Sequence, residues 1–143
     1  MKKYKIGYTQ GVFDMFHVGH LNLLNNAKEQ CEYLIVGVNS DALVRDYKSK
    51  VTVINEHERC MIIQNIKAVD EGIIVETLDK LILWNRLHFD AVFIGDDWKG
   101  NTRWHETELQ LKPVGADVVY LPHTENISST ILRIERENVV PEE

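Results

Sequence analysis

A chain of 143 residues with 44% hydrophobic content is long enough to bury one continuous core and too short for two typical ones, so a single domain over 1–143 is expected. The formal net charge of -6 argues against a nucleic-acid binder, which needs dense basic patches, yet leaves room for a small phosphorylated ligand held by a few donors. No apolar run approaches the ~18 residues of a membrane span, and MKKYKIGYTQGVF lacks the features of a signal peptide, so a cytoplasmic protein without membrane contact is expected.

Along the chain, apolar runs of strand length alternate with segments of helical period. Lys5–Thr9 reads as a strand, and Val18–Glu29 as a helix with Val18, Leu21, Leu24 and Ala27 on one stripe. Tyr33–Val38 is the next strand, and Asp46–Ile54, which has no periodicity, is a candidate mobile loop. Asn55 followed three residues later by Glu58 has the pattern of a helix N-cap. It opens a helix over Glu56–Val69 with Cys60, Ile63 and Ile66 on one face. Strand Gly72–Val75, helix Leu78–Leu87, strands Ala91–Gly95 and Asp117–Leu121, and a last helix Ser128–Asn138 complete the series. Strands alternating with helices predict an α/β fold, a doubly wound sheet of about five parallel strands whose ligands sit beyond the carboxyl ends at the switch in strand order. Cys31 and Cys60 have no CxxC partner and no matching histidines, and read as buried small apolar residues. Trp84, Trp104 and Tyr120 belong to no motif and read as core or interface.

Directly after the first strand stands Gly11-Val12-Phe13-Asp14-Met15-Phe16-His17-Val18-Gly19-His20. Two histidines at a helix start lie near the positive end of the dipole, a location that favours phosphates, and Gly19 between them allows close approach. This GxFDxxHxGH string resembles the HxGH signature of the nucleotidyltransferase superfamily, and its GVFD…HVGH form is similar to the cytidylyltransferase family. The resemblance implies a Rossmann-like fold and a triphosphate held by hydrogen bonds from His17 and His20. Asp14 reads as a carboxylate that orders the loop, the alternative being a partner of Mg²⁺ and a nearby cation.

A second match lies at His123-Thr124-Glu125-Asn126-Ile127-Ser128-Ser129-Thr130, which resembles the family's RTEGIS[ST][ST] motif and implies nucleotide contacts from His123, Thr124, Ile127, Ser128, Ser129 and Thr130. The family's Arg is here His123 and its Gly is Asn126, so a permanent cation is replaced by a titratable one. Lys48 and Lys50, followed by Arg59 in Asn55-Glu56-His57-Glu58-Arg59, resemble the family's KxK…EHR arrangement. It implies that the lysines reach the phosphates of nucleotide and substrate while Arg59 anchors the site from a helix. Lys67 stands where close relatives of that pattern carry an Arg, a candidate substrate contact. Gly95-Asp96-Asp97-Trp98 followed by Gly100 resembles the glycerol-3-phosphate cytidylyltransferase branch, which implies Asp97 and Trp98 on the nucleoside side.

The resemblance thus implies catalytic roles for His17, His20, Lys50 and Arg59. It puts Gly11, Val12, Phe13, Asp14 and Gly19 against the nucleotide, and Lys48, Lys50 and Lys67 against the acceptor. It further implies CTP as nucleotide, Mg²⁺ as cofactor, a homodimer, and CDP-glycerol destined for a wall or capsule polymer as product. Phosphoethanolamine, phosphocholine or another sugar-alcohol phosphate as acceptor, an adenylyltransferase, and a non-catalytic nucleotide binder are the alternatives. His105-Glu106 lacks the second His of the zinc motif HExxH, and neither a Walker A loop nor GxGxxG occurs.

Overall fold

The computed structural model describes residues 2–123. Within them, β1 (Tyr4–Gly11), β2 (Cys31–Asn39), β3 (Glu71–Val75), β4 (Ala91–Gly95) and β5 (Asp117–Leu121) form one parallel sheet in the order β3-β2-β1-β4-β5. β1 and β2 are buried along most of their length because helices cover both faces, the condition under which parallel strands become nearly continuous apolar runs. Those helices are α1 (Val18–Gln30), α2 (Asp41–Lys48), α3 (Glu56–Gln64), α4 (Lys80–Leu87) and α5 (Thr102–Leu111).

Side chains alternate across each strand and so feed two cores. On one face, Leu34, Val36 and Phe93 pack with Leu24 and Ala27 of α1 and with Cys60 and Ile63 of α3. On the other, Tyr8, Ile35 and Val92 pack with Leu83 of α4 and with Trp104 and Leu111 of α5. Both cysteines are buried thiols, as expected, and burial pushes both pKa values up. None of the helices among the described residues is long and apolar enough to cross a membrane.

All five expected strands are present, and three segments differ from expectation. The helix read as Glu56–Val69 ends at Gln64, after which tight turns join Ile66 to Ile63 and Val69 to Ile66. These i,i+3 steps prolong the apolar spacing beyond the helix itself, so periodicity overshoots its end. Asn55 is the N-cap, its side chain accepting from the Glu58 amide. The expected loop Asp46–Ile54 begins inside α2, an eight-residue helix that buries only Val44 and is capped by Ser40. One buried residue leaves no stripe to read. α5, capped by Asn101, was likewise not foreseen. The expected helix Ser128–Asn138 lies outside the described residues.

The chain builds outward from β1 to β3 and then crosses to β4 and β5 on the other side. The order therefore reverses between β1 and β4, and the crevice beyond their carboxyl ends is where a doubly wound sheet binds its ligand. Both strands end in glycine, Gly11 and Gly95.

Candidate active site

The loop leaving β1 is tightly constrained. Gly11, Val12, Phe13 and Asp14 are buried, and Phe13 and Met15 adopt left-handed backbone angles, φ 53 and 51 degrees. For side chains of that size such a conformation costs about 1–3 kcal/mol each and persists only where the surroundings impose it. One imposing group is Asp14, whose carboxylate accepts from the backbone N–H groups of Val53 (2.7 Å) and Ile54 (2.9 Å). Its geometry is that of a loop-ordering carboxylate.

His17 is the N-cap of α1. Its Nδ1 accepts from the Gly19 amide at 3.0 Å, while the His17 amide donates to Nδ1 of His20 at 3.2 Å, a capping box built from two histidines. The rings stack with centroids 3.8 Å apart, and Phe13 meets His20 edge-on at 5.4 Å. Because each Nδ1 accepts a backbone N–H, each neutral ring carries its proton on Nε2, so both rings present Nε2–H as a donor. Both Nε2 atoms are shielded from solvent. Two aligned donors at the positive end of a helix suit an anion.

Arg59 lies in α3, 1% exposed. It donates from Nε to the Ile54 carbonyl, from Nη1 to the carbonyls of Val12 and Asn39, each at 2.8 Å, and from Nη2 to Asp41 at 2.5 Å. The guanidinium is thus turned inward, knitting the loop after β1, the end of β2 and the segment before α3. That geometry suits a residue that anchors the site from a helix. Asp41 receives further hydrogen bonds from Thr52 Oγ1 and the Glu56 amide. Burial alone would raise its pKa, but the hydrogen bonds from Thr52, Arg59 and Glu56 and the Arg59 charge hold it below the ordinary carboxylate value.

Lys48 closes α2 with its ammonium 5.0 Å from the Tyr47 ring centre, and Lys50 is exposed one residue past Ser49, which takes left-handed angles. Lys67 stands apart from these residues. It occupies the turn between α3 and β3, at the amino-terminal edge of the sheet and opposite to the crevice, because α3 has run the depth of the sheet before the chain re-enters it. No strand-end logic carries it back to the site.

Beyond β4, Asp96, Asp97 and Trp98 form one turn of 3-10 helix. Asp97 is exposed, Trp98 is half-buried, and the Arg103 guanidinium lies 5.6 Å from the Trp98 ring. His123, just past β5, meets Asp96 at 2.5 Å, and its hydrogen bond is the main cause of the lowered Asp96 pKa. Ligand atoms of Asp96, Asp97 and His123 lie within 4.8 Å of one another, all on exposed residues. Imidazole with two carboxylates suits a transition ion better than Mg²⁺, which prefers an all-oxygen shell, and Asp14 is already committed to two amides. Among the described residues no dedicated Mg²⁺ cage is therefore present. Thr124, Ile127, Ser128, Ser129 and Thr130 lie outside the described residues.

Two further polar residues at this end of the sheet belong to no motif. Lys80, in the first turn of α4, is only 4% exposed, its ammonium donating to the Leu78 carbonyl and lying 5.1 Å from the Trp104 ring centre. A lysine directly after an Asp N-cap at a strand's carboxyl end was the available signal. Gln10, the residue before Gly11, is 97% buried yet polar, and a lone glutamine inside an apolar strand was the sign.

Comparison with known proteins gives the family and the fold. Residues 8–135 match the family described as cytidylyltransferase-like. The glycerol-3-phosphate cytidylyltransferase of Bacillus spizizenii is 36% identical over 126 residues, covering 87% of this chain and 92% of that protein. The FAD synthase of Thermococcus sibiricus is 33% identical over 124 residues, covering 85% and 84%. Among solved structures, the lipopolysaccharide core biosynthesis protein of Thermoplasma volcanium superposes with a TM-score of 0.75 at 24% identity, over 85% of this chain and 99% of that one. A matched family spanning most of the chain, on a sheet whose switch point carries the paired histidines, makes this chain a member of the cytidylyltransferase-like family of nucleotidyltransferase enzymes.

Proposed function

We propose that the protein transfers CMP from CTP to a small phosphorylated alcohol, sn-glycerol 3-phosphate first among them, releasing pyrophosphate and forming CDP-glycerol. The observation that carries this reading is the tautomer arrangement of His17 and His20, which presents two Nε2–H donors at the head of α1 beside the β1/β4 crevice. Charge that builds on the phosphoryl oxygens as the α-phosphorus is attacked would meet donors already fixed in place, and such preorganisation is usually the largest contribution to catalysis. The acceptor's phosphate oxygen is itself the nucleophile, so no protein nucleophile is required. The residues orient the two substrates and stabilise charge.

In this reading Lys50 closes over the phosphates from its exposed position, and Lys48 and the buried Lys80 supply positive charge to the acceptor's phosphate. Asp97 and Trp98 face the nucleoside, with His123 beside them in the place where the family pattern has Arg. CTP enters as its Mg²⁺ complex, the ion arriving on the triphosphate. The glycerol-3-phosphate acceptor is supported by the GDDW segment and by the Bacillus spizizenii relative, which matches over nearly its whole length. A second reading, adenylyl transfer from ATP, is favoured by the similarity to an FAD synthase.

Pyrophosphate release from CTP and from ATP, each with glycerol 3-phosphate, phosphoethanolamine and phosphocholine, tests both, with His17→Ala as the blank. Turnover of CTP with glycerol 3-phosphate is expected. Turnover with ATP alone would overturn the choice of nucleotide, and turnover of CTP with another alcohol phosphate would overturn the acceptor.

A further inference from the structure

Near the carboxyl end of the sheet, four buried or half-buried polar side chains form a continuous relay. Tyr8 donates from its hydroxyl to Gln10 Oε1 at 2.8 Å, and Gln10 Nε2 donates to Asn39 Oδ1 at 2.8 Å and to the Thr77 carbonyl at 2.9 Å. Asn39 Nδ2 then donates to the Tyr47 hydroxyl oxygen at 3.1 Å. The direction of each bond is imposed by its neighbour: with Oε1 of Gln10 and Oδ1 of Asn39 occupied by donors, only the amide nitrogens face onward. The relay begins in a space that only glycine leaves open, since a Cβ on Gly37 would lie 2.1 Å from the Tyr8 hydroxyl oxygen. Tyr8, Gln10 and Asn39 are at most 3% exposed, and a buried polar group left unsatisfied costs about 1–3 kcal/mol, so the arrangement is strongly held.

Gln10 is the branch point. One arm runs through Asn39 to Tyr47, the residue before Lys48 in the last turn of α2. The other grips the carbonyl of Thr77, three residues before Lys80 in the first turn of α4. We propose that Gln10 is a positioning residue that sets the two lysine-bearing elements, the end of α2 and the start of α4, relative to each other on the acceptor side of the site. This rests on the functional reading above, in which Lys48 and Lys80 supply positive charge to the acceptor's phosphate. Gln10 itself has its donors and acceptor turned into the protein and acts through the cations it places. The nucleotide side, built on α1, has further supports of its own in the histidine capping box and Asp14.

Two variants separate positioning from general packing. Gln10→Met keeps the side chain's length and removes both arms, whereas Tyr47→Phe removes only the acceptor at the end of the α2 arm. Amide hydrogen exchange on Gln10→Met is expected to speed up in residues 45–50 and in residues 77–82 while β1 and β2 keep their protection. Tyr47→Phe is expected to loosen residues 45–50 alone. In steady-state kinetics, Gln10→Met is expected to raise KM for the acceptor at least about ten-fold while KM for CTP stays within about two-fold, the signature of misplaced acceptor-binding groups. Exchange that quickens throughout the sheet, in neither segment, or in only one for Gln10→Met would overturn the proposal, as would equal increases in the two KM values. A wild-type enzyme that turns over no acceptor would defeat the functional reading, and the exchange pattern would still decide whether Gln10 sets the two elements. If Gln10→Met fails to fold, Tyr47→Phe decides it: unchanged exchange at 45–50 overturns the proposal.

Discussion

The junction at Gly11–His20 and the segment Asp41–Arg59 both carry charged or polar residues of the family pattern, yet the structure uses them in opposite directions. At the first, the backbone at the head of α1 takes Nδ1 of each histidine, which puts the proton of the neutral ring on Nε2. At the second, four hydrogen bonds turn Arg59 inward onto three carbonyls and a carboxylate. A cation in a catalytic family's motif is therefore not by itself a ligand for phosphate. What decides the matter is how many of its donors the protein's own acceptors take up, four of them in Arg59.

The largest expected effect breaks the first region without harming the fold. His17→Asn keeps a good N-cap but lacks the Nε2–H donor, so turnover should fall about 10²–10³-fold with an almost unchanged Tm. His17→Ala should lose the same activity and about 1 kcal/mol of stability as well. Loss of stability in the Asn variant comparable to that of Ala would show that the pair serves the helix more than the ligand.

Arg59→Ala tests the opposite assignment. Removing one partner of a buried ion pair typically costs about 3–5 kcal/mol, so the denaturation midpoint should drop steeply, with activity falling alongside the folded fraction. A stable Arg59→Ala protein with weakened CTP binding would return Arg59 to the nucleotide.

The same pair predicts a pH dependence. Asp41 has a lowered folded-state pKa, so its contribution is fully present above the unfolded carboxylate value of about 3.9 and is lost as pH falls through the folded value. Urea titrations should therefore show the stability gap between the wild type and Asp41→Asn narrowing below about pH 4. A gap that stays constant into acid would mean that Asp41 acts only by packing.

The smallest effect is expected at Lys67, on the far edge of the sheet. Lys67→Ala should change turnover by less than about two-fold, as for an isolated surface change. A selective rise in KM for the acceptor would place Lys67 back in the site.

Much of this was legible from residue order alone. Strand positions followed from apolar runs, since a parallel strand covered on both faces must be apolar nearly throughout. The loop-to-helix junction at His17 followed from its place after such a strand. α2 was not legible, because a helix that buries only Val44 leaves no periodic trace, and the end of α3 was blurred by turns that repeat helical spacing. Among the site residues, Arg59's inward geometry could not be read, because three of its partners lie 18 to 47 positions away.

The sequence by itself determined the α/β class, the family and the two histidines at the head of α1, because these follow from local pattern and from neighbours within a few residues. Only the tertiary structure decided that Arg59 is held by the scaffold's own acceptors. That choice depends on which distant carbonyl or carboxylate lies within hydrogen-bond reach, and reach is created only when the strands are laid side by side.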